Sequence, residues 1–137
     1  MKKVEIISGS YRFEGELLED KAPETCRVFE EMLPLKSSFI HVRWSGEGIW
    51  IPYGDTRTGL DYENHITYPA AGEMLLYPGG ISEMEIIMSY GRCQFACQYG
   101  TLAGNHFLTI TEGREKLYEF GRKVLYEGAQ DIEIRLI

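Results

Sequence analysis

The sequence predicts a mainly β protein: a small closed β-barrel with two helices capping its ends. Three observations carry this. Short runs of alternating apolar and polar residues recur along the 137-residue chain, separated by turns rich in Gly and Pro. Only two stretches show a helical apolar stripe. Strands this numerous in one domain leave unpaired edges, and closure into a barrel removes them.

Taken in order, residues 4–7 read as a strand, and residues 11–18 as a second, with Tyr11, Phe13, Gly15 and Leu17 alternating against Arg12, Glu14 and Glu16. Gly9-Ser10 turns the chain between them. Asp20-Lys21-Ala22-Pro23-Glu24-Thr25 reads as a helix start, with Asp20 as cap and Pro23 in the first turn. Cys26, Phe29, Met32 and Leu33 then share a face, and Pro34 ends the run. Residues 37–53 read as two strands around Ser45-Gly46-Glu47-Gly48, with Phe39, His41 and Arg43 on one face and Ile40, Val42 and Trp44 on the other. Residues 55–69 form a polar loop. Strands at 73–77 and 84–88 flank Pro78-Gly79-Gly80, and a strand pair is expected at 93–99 and 107–110. Residues 112–126 are helical, with Leu117, Phe120, Val124 and Leu125 on one stripe and Gly128 as the stop. Ile132, Ile134 and Leu136 mark a closing strand.

Composition narrows the function classes. Hydrophobic residues are 44% and charged residues 26% of the chain, with a mean hydropathy of -0.24, which are globular values. One domain spanning 1–137 of this length buries roughly two-thirds of its unfolded surface without a metal or disulfide staple. Lys and Arg number 14 against 21 Asp and Glu, a formal charge of -7, which argues against a nucleic-acid partner. No apolar run reaches the roughly 20 residues of a membrane helix, and the start lacks a signal-peptide core. A cytoplasmic chain is expected. Cys26, Cys93 and Cys97 are odd in number and irregularly spaced, so reduced thiols are expected rather than a disulfide framework or a zinc set. No Gly-x-Ser-x-Gly elbow is present, and no cysteine lies beside an obvious base.

The segment from Phe13 to Thr25, followed by Phe29 and Leu33, resembles the first hairpin and helix of cyclophilins. A longer series is similar to a bacterial family of cyclophilin-like proteins catalogued as a domain of unknown function (family 3830). It comprises His41-Val42-Arg43-Trp44-Ser45-Gly46-Glu47, Trp50-Ile51-Pro52, Glu63-Asn64-His65, Leu76 to Glu83, and Ala103-Gly104-Asn105-His106-Phe107. The resemblance implies a closed cyclophilin-like barrel. Cyclophilins are prolyl isomerases with a Phe-His-Arg triplet on the active face. Here Ile40-His41-Val42-Arg43 separates His from Arg, and no Gln-Gly-Gly run follows. Only Arg43 carries over, as a carbonyl-contacting arginine. Cucumopine synthase, which joins histidine to a keto acid, is similar in fold and implies that such a barrel can host acid–base chemistry on small molecules.

Residue chemistry supplies the candidates. Arg43 beside Trp44 and Trp50 can hold a carboxylate between aromatic walls; the alternative is a structural ion pair. Glu47, between two glycines, can be a proton-transfer group with a raised pKa or an exposed turn acid. His65 can be a general acid or base, with Asn64 donating to an oxyanion, or both can stabilise a turn. Glu83 and Glu85 share a strand face, so one can raise the pKa of the other, or both can face water. Tyr77 is a further wall, and His41 and His106 can line the same cleft or pack as core groups. No His-x-His or His-x-x-x-His pair points to a metal, and no cofactor is expected.

The resulting expectation is a small-molecule enzyme working by general acid–base catalysis on a carboxylated or nitrogen-heterocyclic metabolite, through isomerisation, ring opening or closure, or proton abstraction. Arg43 would orient the substrate, Trp44, Trp50 and Tyr77 would enclose it, and Glu47, His65 and Glu83 would move protons, all in one water-poor hollow. The alternatives are a prolyl isomerase and a non-catalytic binding module. The exposed strands and aromatic content allow a homodimer.

Overall fold

Eleven strands and two α-helices make up the computed structural model, which describes residues 1–137. The strands are β1 (Lys3–Ser8), β2 (Tyr11–Leu17), β3 (Leu35–His41), β4 (Gly46–Pro52), β5 (His65–Ile66), β6 (Glu73–Tyr77), β7 (Glu85–Cys93), β8 (Ala96–Cys97), β9 (Gly100–Thr101), β10 (Gly104–Glu112) and β11 (Gln130–Leu136). The helices are α1 (Pro23–Glu31) and α2 (Leu117–Glu127). Eight strands close a ring in the order β1, β11, β3, β4, β7, β6, β10, β2 and back to β1, with every neighbour antiparallel. β5 adds to β10 outside this ring, and β8 with β9 makes a separate hairpin. No helix is long and apolar enough to cross a membrane.

Alternation decides what fills the barrel. Val4 and Ile6, Phe13 and Leu17, Phe39, Ile49 and Ile51, Met74 and Leu76, Ile86 and Met88, and Ile132 and Ile134 all join one buried cluster. The helices close it. Phe29 of α1 packs on Phe107 with ring centroids 4.8 Å apart, beside the end of β2. Phe120 of α2 meets Tyr11, Phe13 and Phe39 at the start of β2, with centroids 5.1–6.2 Å apart. The two helices therefore cover opposite ends, as the sequence predicts. Arg12 of β2 and Arg135 of β11 both hold the buried carboxylate of Glu5 on β1, which ties three adjacent strands.

The β4–β7–β6 wall is apolar on its outer face too. Leu75, Tyr77 and Ile87 point outward and pack with Val42, Phe95 and Leu102 into a second, smaller core. Burial on both sides of these strands accounts for the consecutive apolar residues Met74-Leu75-Leu76 and Ile86-Ile87-Met88.

Several expected boundaries differ. Residues 93–99 and 107–110 do not pair with each other. β7 runs on to Cys93, Ala96-Cys97 folds back on Gly100-Thr101 through Gly100 at a φ of 125°, and β10 pairs with β6 and β2 instead. The last helix starts at Leu117 rather than at residue 112, because β10 continues to Glu112 and Gly113, at a φ of 85°, breaks the chain direction. Asp20 does not cap α1. Its N-cap is Ala22, and a carboxylate from elsewhere serves the helix end instead: Glu63 Oε1 accepts from the backbone N–H of Thr25 at 2.5 Å.

Candidate functional site

Side-chain parity on β4 divides the candidates. Ile49 and Ile51 enter the barrel, so Glu47 lies on the same side, whereas Trp50 faces outward beside the second core. The expected single hollow holding Arg43, Glu47, Trp50 and the loop groups is therefore not formed. Residues three apart on a strand point to opposite faces, and two cavities result.

The inner cavity has a volume of about 210 Å³ and is bordered by His41, Arg43, Glu47, Tyr90, Arg122 and Leu125. β3 brings His41, β4 brings Glu47, β7 brings Tyr90 on the parity of Ile86 and Met88, and α2 lays Arg122 across them. His41 Nε2 and Tyr90 Oη are 2.6 Å apart, the shortest polar contact in the site. Burial lowers the pKa of His41, and the charges of Arg43 and Arg122 lower it further against the opposing pull of Glu47. Burial raises that of Tyr90, with the Glu47 charge adding to it. A neutral imidazole and a protonated phenol thus share one hydrogen bond at neutral pH, while His41 Nδ1 is buried without a partner.

Glu47 behaves opposite to its sequence expectation. Its Oε1 accepts from the backbone N–H of Arg92 at 2.8 Å. This bond, opposed by some burial and helped by Tyr118, Arg122 and Arg92, lowers its pKa rather than raising it. Two glycines make room for the cluster. A Cβ at Gly91 would collide with the Glu47 carboxylate, and one at Gly121 would collide with the Tyr90 ring.

The outer cavity, about 360 Å³, lies between Trp44, Trp50, Ser82, Glu85, Cys97 and Gln98. The two tryptophans stand perpendicular, with centroids 5.5 Å apart. The acid facing it is Glu85, not Glu83. Glu85 is 3% exposed, and burial, reinforced by the charge of Glu83, pushes its pKa up to about 8. Glu83 lies before β7 rather than on a strand face with Glu85, and it enters only as the neighbouring charge.

The remaining candidates lie elsewhere. His65 is exposed on β5 and stacks on Tyr62 at 4.6 Å. Asn64 adopts a φ of 49° and donates through Nδ2 to the His106 carbonyl at 2.8 Å, the turn role that was its alternative. His106 Nε2 meets Thr109 Oγ1 at 2.9 Å, with Glu73 at 3.6 Å, and its pKa is lowered by burial. Tyr77 is buried in the second core, and its hydroxyl accepts from the backbone N–H of Ile81 at 3.1 Å. Asn105, fully buried, accepts from the Glu63 N–H at 3.1 Å and donates to Thr25 Oγ1 and the Asp61 carbonyl, tying the 61–65 segment to α1.

Sequence reasoning passed over Tyr90 and Arg122. Each had a signal. Tyr90 continues the inward parity of Ile86 and Met88, and Tyr118 and Arg122 lie four apart on α2 beside the apolar stripe; Leu125, expected on that stripe, borders the cavity with Arg122 instead.

The model of a family described as a protein of unknown function, DUF3830, matches residues 4–136. The chain belongs to that family. Among solved structures, this DUF3830 chain is similar to McbB, determined in complex with tryptophan, at a TM-score of 0.71 and 18% identity over 96% of the chain. The chain spans 44% of McbB. It is also similar to the hypothetical protein AF2241 from Archaeoglobus fulgidus, at a TM-score of 0.60 and 19% identity, covering 98% of the chain and 93% of that protein. These likenesses show the cyclophilin-like fold of the DUF3830 chain. No curated protein matches its sequence significantly.

Proposed function

We propose that the inner cavity binds a small carboxylated metabolite and moves a proton on it. The observation that carries this reading is the convergence, from β3, β7, α2 and the turn after β3, of the His41–Tyr90 pair with two guanidinium groups in one cavity. Arg43 and Arg122 outnumber Glu47, so the cavity favours an anion. The phenol and imidazole form a relay. A proton passing between a substrate atom and Tyr90 Oη is balanced by one passing between Tyr90 and His41 Nε2. Ionised Glu47 balances the charge and holds the cavity wall through Arg92. Abstraction of a proton next to a carbonyl is the step that isomerisation and ring opening or closure have in common.

The size of the cavity favours a small molecule over an extended proline peptide, which needs an open groove. McbB, of like fold, was solved with tryptophan, itself a small carboxylate. Three unpaired cysteines favour work in the reducing cytoplasm.

The test is a thermal-shift screen of small carboxylates, lactams and hydantoins. A ligand at 100 times its Kd stabilises by about 2.7 kcal/mol. The reading expects carboxylates among the hits, loss of their shift in Arg43→Ala and Arg122→Ala, and loss of turnover by about 10²–10⁴ in Tyr90→Phe with binding kept. Shifts that survive both arginine substitutions, or a panel with no hit, overturn it.

A further inference from the structure

We propose that the outer cavity is a second small-molecule site, which takes a planar heteroaromatic base between Trp44 and Trp50 and receives its N–H edge on the Glu85 carboxyl. It lies on the opposite face of β4 from the inner cavity and is argued independently of it.

The walls are built for a flat ring. Trp44 and Trp50 meet at an interplanar angle of 89°, so a ring lying on one indole meets the edge of the other, the arrangement aromatic groups prefer. Trp44 is 58% exposed, and its aromatic contact is with Trp50. The turn itself is held firmly. Ser45 is buried, its carbonyl accepts from the Gln94 N–H at 2.9 Å, and its hydroxyl accepts from the Ala96 N–H at 3.3 Å. Trp44 is therefore presented to solvent on a fixed support, and its partner Trp50 buries an indole N–H that has no acceptor.

The polar content points to a base. Glu85 is 97% removed from solvent and borders the cavity; no hydrogen bond from the protein lowers its pKa, and its carboxyl oxygens are not among the fully enclosed atoms without a partner, so they open onto the cavity. The other buried carboxylate, Glu5, is held by two arginines. A carboxyl whose opening is onto the cavity is placed to accept N–H groups from a ligand bound there. No Lys or Arg lines this cavity, so an anionic ligand would face Glu85 without compensation, whereas an amidine-like edge offers two donors to one carboxylate. The volume of about 360 Å³ accommodates a bicyclic ring, with Ser82 and Gln98 at hand for substituents.

The probe is 2-aminobenzimidazole, compared with indole, a ring of similar size without the amidine edge. The chain has two tryptophans, and both border this cavity, so their fluorescence reports 2-aminobenzimidazole binding there, while indole, itself the tryptophan fluorophore, is followed by calorimetry. A saturable fluorescence change is expected with 2-aminobenzimidazole, confirmed by calorimetry, and binding of indole weaker by about tenfold or more. Glu85→Gln, which keeps the shape of the side chain, is expected to weaken binding by a similar factor. Trp44→Leu, at an exposed position that does not threaten folding, weakens it as well. Arg122→Ala, in the other cavity, leaves it unchanged. Absence of saturable binding, equal affinity for indole, or full affinity in Glu85→Gln overturns the proposal.

Discussion

Tyr90 of β7 and Gly121 of α2 are in face-to-backbone contact: the phenol ring occupies the space that a side chain at position 121 would fill. The helix can lie this low over the barrel mouth only because it carries a glycine there. Gly121→Ala should gain up to about 1 kcal/mol in helix propensity and lose more to overpacking, for a net destabilisation of about 1–2 kcal/mol. The sign reverses if the ring is removed. In a Tyr90→Ala background the same substitution should stabilise, and a double-mutant cycle by urea denaturation checks this coupling. Additive effects in that cycle would disprove the contact.

The titration of His41 reports the charge balance of the inner cavity. Arg122 depresses its pKa, so Arg122→Met should move the midpoint up; Glu47 supports the charged form, so Glu47→Gln should move it down. NMR titration of His41 distinguishes these outcomes. Shifts in the same direction for both variants would mean that structural disturbance, not charge, sets the value.

Glu63 and Asn105 make the 61–65 segment part of the structure rather than a mobile loop. Glu63→Ala removes the acceptor at the N-terminus of α1 and should cost about 1 kcal/mol, with Glu63→Gln costing less because it retains an acceptor. Asn105→Ala strands the Glu63 N–H, the Asp61 carbonyl and the Thr25 hydroxyl, and should cost roughly 2–4 kcal/mol. Chemical denaturation measures both. An Asn105→Ala loss no larger than that of Glu63→Ala would contradict the hub role.

These residues show where sequence reading succeeds and where it stops. The barrel was legible because period-2 alternation and two amphipathic stripes are local properties, visible at Phe13-Glu14-Gly15-Glu16-Leu17 and at Leu117, Phe120 and Val124. The same parity, carried along β4, already separates Glu47 from Trp50 in the sequence. Other features depend on tertiary neighbours. Nothing local marks Glu63 as the cap of a helix 38 residues away. Glu47 looked like an acid between two tryptophans until the Arg92 amide, 45 residues on, supplied its hydrogen bond. The strand pair expected at 93–99 and 107–110 failed because hairpin pairing is the nearest solution in sequence, while β10 finds its partners through ring closure.

Glu85 links the outer cavity to stability through pH. In the unfolded chain its carboxyl ionises near 4.5, and in the folded chain burial and Glu83 push this up to about 8. Between these values the folded state holds a proton that the unfolded state has released, so raising the pH favours unfolding: the slope is negative across this window and levels off above it. At about 1.4 kcal/mol per pKa unit the full effect is on the order of a few kcal/mol. Glu85→Gln lacks the titrating group but keeps the shape, so its stability relative to the parent should rise between about pH 5 and about pH 9, while all other groups cancel in the difference. Urea denaturation of both proteins across that range makes the measurement. A constant difference would mean that Glu85 ionises normally in the folded protein, which requires that water or a donor already reaches its carboxyl.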